Sequence, residues 1–129
     1  MTVDEATKIL TVVCAAYPSH FKDMSAETAK GTVTVWAVQF AEVPADIVFM
    51  AVNKHISVVK YPPTVSEIKE KISSLYWDSY TALHTGIKPT GKLLEAYQRI
   101  YDITKKFKYG KQEPELSTMI DSSQIYLLE

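Results

Sequence analysis

The sequence predicts an all-α protein: a compact N-terminal cluster of four helices, then a C-terminal amphipathic helix and a short final helix. Three observations predict it. Apolar residues recur at i, i+3, i+4 and i+7 through most of the chain. The breaks between these runs carry proline, glycine or a serine or threonine suited to capping a helix. Only Thr32-Val33-Thr34-Val35 reads as strand-like, and Trp36, Ala37 and Phe40 extend the helical period across it.

A first helix begins at Thr2, with Glu5 three residues on as the capping-box partner. Ala6, Ile9, Leu10, Val13, Cys14 and Tyr17 form its apolar stripe, and Pro18 ends it. After a loop over 19–24, Ser25 caps a second helix that runs to about Ala41, burying Ala29, Val33, Trp36, Ala37 and Phe40. Gly31 costs stability inside a helix, which suggests a close helix crossing there. Pro44 suits the first turn of a third helix, whose inner face is Ile47, Val48, Ala51, Val52, His55, Ile56 and Val59.

Two adjacent prolines, Pro62 and Pro63, then stop the chain, because each lacks an N–H and restricts the residue before it. Thr64 caps a fourth helix from Val65 to about Trp77, with Glu67 placed to reach back to the cap N–H and Ile68 on the inner face. The pattern loosens over 78–90, punctuated by Thr85-Gly86 and Lys88-Pro89, and this stretch reads as a linker. The expected organisation is thus a helical N-terminal domain over 1–77, a linker over 78–90 and a C-terminal helical segment over 91–129. Within that segment a fifth helix over 91–108 shows Leu93, Leu94, Tyr97, Ile100, Tyr101, Thr104 and Phe107 on one side. Gly110 closes it. Glu113-Pro114 opens the final helix with Leu116, Met119 and Ile120, and Ile125, Tyr126, Leu127 and Leu128 follow.

Composition narrows the function. No run reaches the roughly 18 apolar residues of a membrane span, and the first residues lack a signal-peptide pattern. The lone Cys14 cannot pair within the chain and suits a reducing, cytoplasmic setting. Its simplest role is that of a small buried hydrophobe. The four glycines make no phosphate-binding loop, and His20, His55 and His84 stand apart from any ligand spacing. His55 reads as a core-edge histidine. Asp4 with Glu5, and Glu67 with Glu70, open helices, where acids belong in any case. No catalytic, cofactor-binding or metal-binding residues are therefore expected, and the chain does not read as an enzyme.

Charge is distributed unevenly. Residues 88–111 carry six lysines and Arg99 against two acids, a net +5, whereas 112–129 carry four acids and no base. These segments can neutralise each other or meet charged partners. The basic run interleaves Tyr97, Tyr101, Phe107 and Tyr109 with Lys105, Lys106 and Lys108, residue types that suit phosphate contact and base stacking. Against direct DNA binding, the aromatics keep core spacing, and a single arginine is poor equipment for reading bases.

A set of motifs in fixed order carries a resemblance. It runs from Ala15-Ala16-Tyr17-Pro18-Ser19-His20-Phe21 through Asp23-Met24-Ser25 and Trp36-Ala37-Val38-Gln39-Phe40 to Val43-Pro44. It closes on Tyr61-Pro62-Pro63-Thr64-Val65-Ser66-Glu67-Ile68. Over residues 3–72 this resembles the phage replicative helicase loader/inhibitor family, small proteins without a motor of their own. The proline-proline-threonine-x-x-glutamate-isoleucine element is its most specific part. The resemblance implies a helical N-terminal domain and a C-terminal part that contributes to binding a hexameric replicative helicase, restraining it and handing it to an origin-binding initiator or to single-stranded DNA. It supplies no catalytic residues.

The partner-contacting residues expected on this basis are Leu93, Tyr97, Ile100, Tyr101, Lys105, Lys106, Phe107 and Lys108. The competing expectation is that this face packs as ordinary core. Two other functions stay open from sequence: a small helical DNA-binding replication or regulatory protein using 88–111, and a helical adaptor for another protein.

Overall fold

A computed structural model describes residues 1–87 and 89–107, and every regular element among them is helical. The helices are α1 (Val3–Ala16), α2 (Pro18–Phe21), α3 (Ala26–Gln39), α4 (Ala45–Ile56), α5 (Val65–His84) and α6 (Gly91–Thr104). The chain divides into two compact units, Met1–Lys71 and Ile72–Glu129.

In the first unit, the capping box at α1 forms as expected. The Thr2 N–H donates to Glu5 Oε1 at 2.9 Å and the Glu5 N–H donates to Thr2 Oγ1 at 3.2 Å. The α1 stripe buries Ala6, Ile9, Val13 and Tyr17, and α1 packs against α2, α3 and α4. Pro18 does more than end α1. Its fixed φ suits a first helical position, and it starts the one-turn α2 where a loop was expected.

The Ser25 hydroxyl caps α3 by accepting from the Thr28 N–H at 3.1 Å. The β-branched tract stays helical, with the Thr32 and Thr34 hydroxyls donating to the carbonyls of Thr28 (2.8 Å) and Lys30 (3.0 Å). Trp36 and Phe40, both buried, meet edge to face at 5.6 Å. The expected crossing at Gly31 is absent: Gly31 is exposed, and a Cβ built there meets nothing within 4 Å. α3 ends at Gln39, short of Ala41, and the Met1 ammonium donates to the Phe40, Ala41 and Val43 carbonyls at 3.1, 3.1 and 2.8 Å. Cations favour helix C-termini for the same reason that these carbonyls lack helical partners.

Pro44 sits one residue before α4, at its N-cap, and its carbonyl accepts from the Ile47 and Val48 N–H groups at 3.1 and 3.2 Å. The inner face of α4 buries Ile47, Val48, Ala51, Val52 and His55. α5 begins with a second capping box: the Thr64 N–H donates to Glu67 Oε1 at 3.0 Å, and the Glu67 N–H to Thr64 Oγ1 at 3.2 Å.

α5 does not stop at Trp77. It continues to His84, so the first seven residues of the expected 78–90 linker are helical. The apolar stripe persists through Tyr76, Tyr80 and Leu83, and the buried Ser79 hydroxyl is satisfied by the Tyr76 carbonyl at 2.7 Å. Gly86, at φ 62°, marks the actual stop. α6 starts at Gly91, also left-handed at φ 61°, and ends at Thr104, four residues before the expected Lys108. The expected final helix, Gly110 and the apolar C-terminus lie outside the described residues. Among the described residues, no helix is long and apolar enough to cross a membrane.

Candidate partner-binding surfaces

The elbow between α4 and α5 is held from behind by two buried rings. The Tyr17 hydroxyl donates to the Val59 carbonyl at 2.7 Å. His55, fully buried, places Nε2 2.9 Å from the Tyr61 carbonyl. A carbonyl only accepts, so Nε2 donates this bond, and Nδ1 is buried without a hydrogen-bond partner. The rings of Tyr17 and Tyr61 flank His55 at 6.5 and 6.2 Å. Burial, and secondly the Glu67 carboxylate, push the Tyr17 phenol above its ordinary value.

The signature residues therefore divide by role. Tyr17 clamps the elbow, Pro18 starts α2, Trp36 fills the core, Pro63 and Ile68 are buried, and Thr64 and Glu67 cap α5. Pro62 is half-buried. Tyr61 is 55% exposed, and Val58, in the same elbow, is 69% exposed. Elsewhere in this unit, half-buried Cys14 lines an apolar crevice of about 220 Å³ with Leu10, Phe21, Met24, Ala29 and Val33.

The second unit holds a cluster of rings. Tyr76, Tyr80 and His84 lie one turn apart along α5, with His84 stacked on Tyr80 at 4.5 Å. Tyr101 of α6 stacks on Tyr76 at 5.5 Å and lies 5.3 Å from His84. The Lys105 ammonium sits 5.9 Å from the Tyr101 ring centroid. Alongside, a groove of about 310 Å³ runs between Leu75 and Asp78 of α5 and Leu93, Ala96, Tyr97 and Ile100 of α6.

Residues 1–69, more than half of the chain, match the N-terminal domain of the gene 39 protein family. The chain belongs to that family. This is the phage helicase loader/inhibitor family, and the protein is accordingly a phage helicase-associated protein. No curated protein and no solved structure matches the chain. The family match ends within the first α5 turns, close to the limit of the first compact unit at Lys71.

The residues expected to contact a partner fall outside that match and do not form one surface. Leu93, Tyr97 and Ile100 share the groove, with Leu93 56% exposed and the other two half-buried. Tyr101 instead faces the α5 rings. Lys105 and Lys106 are exposed just past α6, Phe107 is half-buried, and Lys108 lies outside the described residues. Of the α5 rings beside Tyr101, Tyr76 lay in the expected helix, whereas Tyr80 and His84 were missed because 78–84 read as linker. The signal was present: Tyr76, Tyr80 and His84 recur every fourth residue. Among the described residues, no three His, Cys, Asp or Glu side chains cluster as a metal would require.

Proposed function

We propose that the protein binds the hexameric replicative helicase in the host cytoplasm, restrains it, and helps deliver it to the origin, where an origin-binding initiator is its second partner. Membership of the helicase loader/inhibitor family is the observation that carries this reading. The contact is assigned to the C-terminal part, 91–129, beyond an N-terminal domain over 1–77, and specifically to the groove of Leu93, Tyr97 and Ile100. That groove is apolar and open along α6, and the exposed cations Lys105 and Lys106 follow the helix in sequence; an apolar groove of this kind suits a pocket anchor. The protein regulates a motor and performs no catalysis of its own.

Direct DNA binding through 88–111 loses support from the placement of Tyr101, whose ring stacks on Tyr76 instead of being free to receive a base. The test is size-exclusion chromatography with light scattering on the protein mixed with its helicase hexamer, with and without ATP, for the natural chain and for Leu93→Asp/Tyr97→Ala. The natural chain is expected to co-elute with the hexamer and the variant to elute apart. Separate peaks for the natural chain in every nucleotide condition overturn the proposal. Titration of labelled single-stranded DNA then decides the DNA alternative.

A further inference from the structure

The first unit presents an open crevice and, on a different element, a side chain suited to fill it. Of the elbow motif, Pro63 and Ile68 are buried and Thr64 and Glu67 cap α5, whereas Tyr61 stays 55% exposed. The crevice is lined from α1, α2 and α3 and measures about 220 Å³. A cavity of roughly 150 Å³ already admits a benzene ring, so one phenol fits. Tyr61 does not line the crevice of its own chain.

The lining suits both halves of a tyrosine. Leu10, Phe21, Met24 and Val33 offer apolar contact to the ring, and the Met24 sulfur favours an aromatic neighbour. Thr7, Thr11 and Thr32 line the same crevice. Their hydroxyls donate to the carbonyls of Val3, Thr7 and Thr28 at 2.9, 2.7 and 2.8 Å. With their protons so committed, these oxygens are left to accept, and a phenol O–H donates.

Charge then selects among occupants. A depression of about 580 Å³ shares Phe21, Met24 and Thr32 with the crevice and adds exposed Asp23. No lysine or arginine is among the residues that line either, which disfavours nucleic acid and favours a cation beside the ring. Tyr61 directly follows exposed Lys60. Phe49, the other large exposed aromatic of the first unit at 39%, instead follows acidic Asp46 by one turn of α4.

We propose that Tyr61 of one copy of this chain seats in the crevice of a second copy, with Lys60 meeting the second copy's Asp23. Ring and crevice are different surfaces, so the contact is heterologous, and each copy keeps a ring or a crevice for a further neighbour. It is also weak. A buried tyrosine accounts for about 150–250 Å², against the roughly 1,200–2,000 Å² of a stable interface. Dilute chains therefore stay apart, and the contact closes where copies are held side by side at an effective concentration on the order of millimolar. Its consequence rests on the reading given under Proposed function: the helicase hexamer is that scaffold, and the contact makes the binding of successive copies cooperative.

The test is sedimentation equilibrium of the full-length chain up to about 1 mM, matching that effective concentration. The natural chain is expected to gain mean mass reversibly with concentration. Tyr61→Ala, and Ala29→Phe, which fills the crevice, should each stay monomeric. An equal mixture of the two should form 1:1 dimers and nothing larger, since it holds one working ring and one working crevice. A natural chain that is monomeric at the highest concentration, association that survives either variant, or a mixture that stays monomeric overturns the proposal. Tyr61→Ala keeps the carbonyl that His55 holds, and helical circular dichroism checks that each variant is folded. A charge exchange confined to exposed residues covers the case in which Ala29→Phe does not fold. Lys60→Asp and Asp23→Lys should each weaken association severalfold, and combining them should restore it; no restoration overturns the contact. Helicase co-elution, measured in parallel, separates the two proposals. If the natural chain binds the hexamer and never self-associates, only this contact fails. If it self-associates and never binds the hexamer, the contact stands and the helicase reading fails.

Discussion

Tyr17→Phe tests the elbow most directly, because it deletes one oxygen and leaves the ring in place. The hydroxyl donates to Val59 at 2.7 Å from a side chain only 7% exposed. Its loss forfeits a good hydrogen bond and leaves a half-buried carbonyl to find water, which costs about 1–2 kcal/mol at neutral pH. The assay is urea unfolding followed by fluorescence in a Trp77→Phe background, so that buried Trp36 alone reports on the first unit. Tyr61→Phe, which alters an exposed ring, is the control and should stay within about 0.5 kcal/mol of the natural chain.

The effect has a defined pH window. Below the ordinary phenol value of 10.0, folded and unfolded chains both hold the proton, and the Tyr17 contribution is present in full. Because burial and Glu67 raise the folded value, the unfolded chain ionises first as the pH rises above 10.0. Stability linked to Tyr17 is then lost progressively through the folded pKa. The gap between the natural chain and Tyr17→Phe should therefore narrow in alkali, with the other tyrosines cancelling in the difference. Equal stabilities at neutral pH, or a gap that stays constant through the alkaline range, would refute the clamp.

Three further outcomes follow from backbone and cap geometry. Gly31→Ala should stabilise the first unit by about 0.5–1 kcal/mol in the same urea assay, since the position is helical, exposed and has room for a Cβ. Gly91→Ala should instead cost about 1–2 kcal/mol, because its φ of 61° is strained for an L side chain despite equally open space; loss of helical circular dichroism with urea, in a chain whose Trp77 reports on the second unit, measures it. Thr64→Ala should cost about 1 kcal/mol by removing the acceptor for the Glu67 N–H, whereas exposed Ser66→Ala, two residues on, should cost much less.

Much of this protein was legible in the chain itself, for local reasons. Caps and breakers act over three or four residues, so Thr2 with Glu5, Ser25, and Thr64 with Glu67 announced the helix starts that the structure shows. The stripes of α1 and α4 named most of the core, because burial follows the helical period when one face is clearly apolar. The face of α3 was legible for the same reason: Trp36 and Phe40 were expected inside and are buried, while Val35 and Val38, off that face, are exposed.

Tertiary structure alone decided the rest. That Gly31 faces solvent and not a crossing helix depends on which side of α3 meets α1. The true length of α5 was hidden because aromatic stripes look weaker than aliphatic ones until Tyr101 supplies the ring they stack against. His55 and Tyr17 became elbow clamps only when carbonyls outside their own helices, at Tyr61 and Val59, were brought to their polar atoms. Sequence determines which residues must be buried or capped; the docking of helices determines which polar atoms meet, and that is a property of three-dimensional distance that no local spacing encodes.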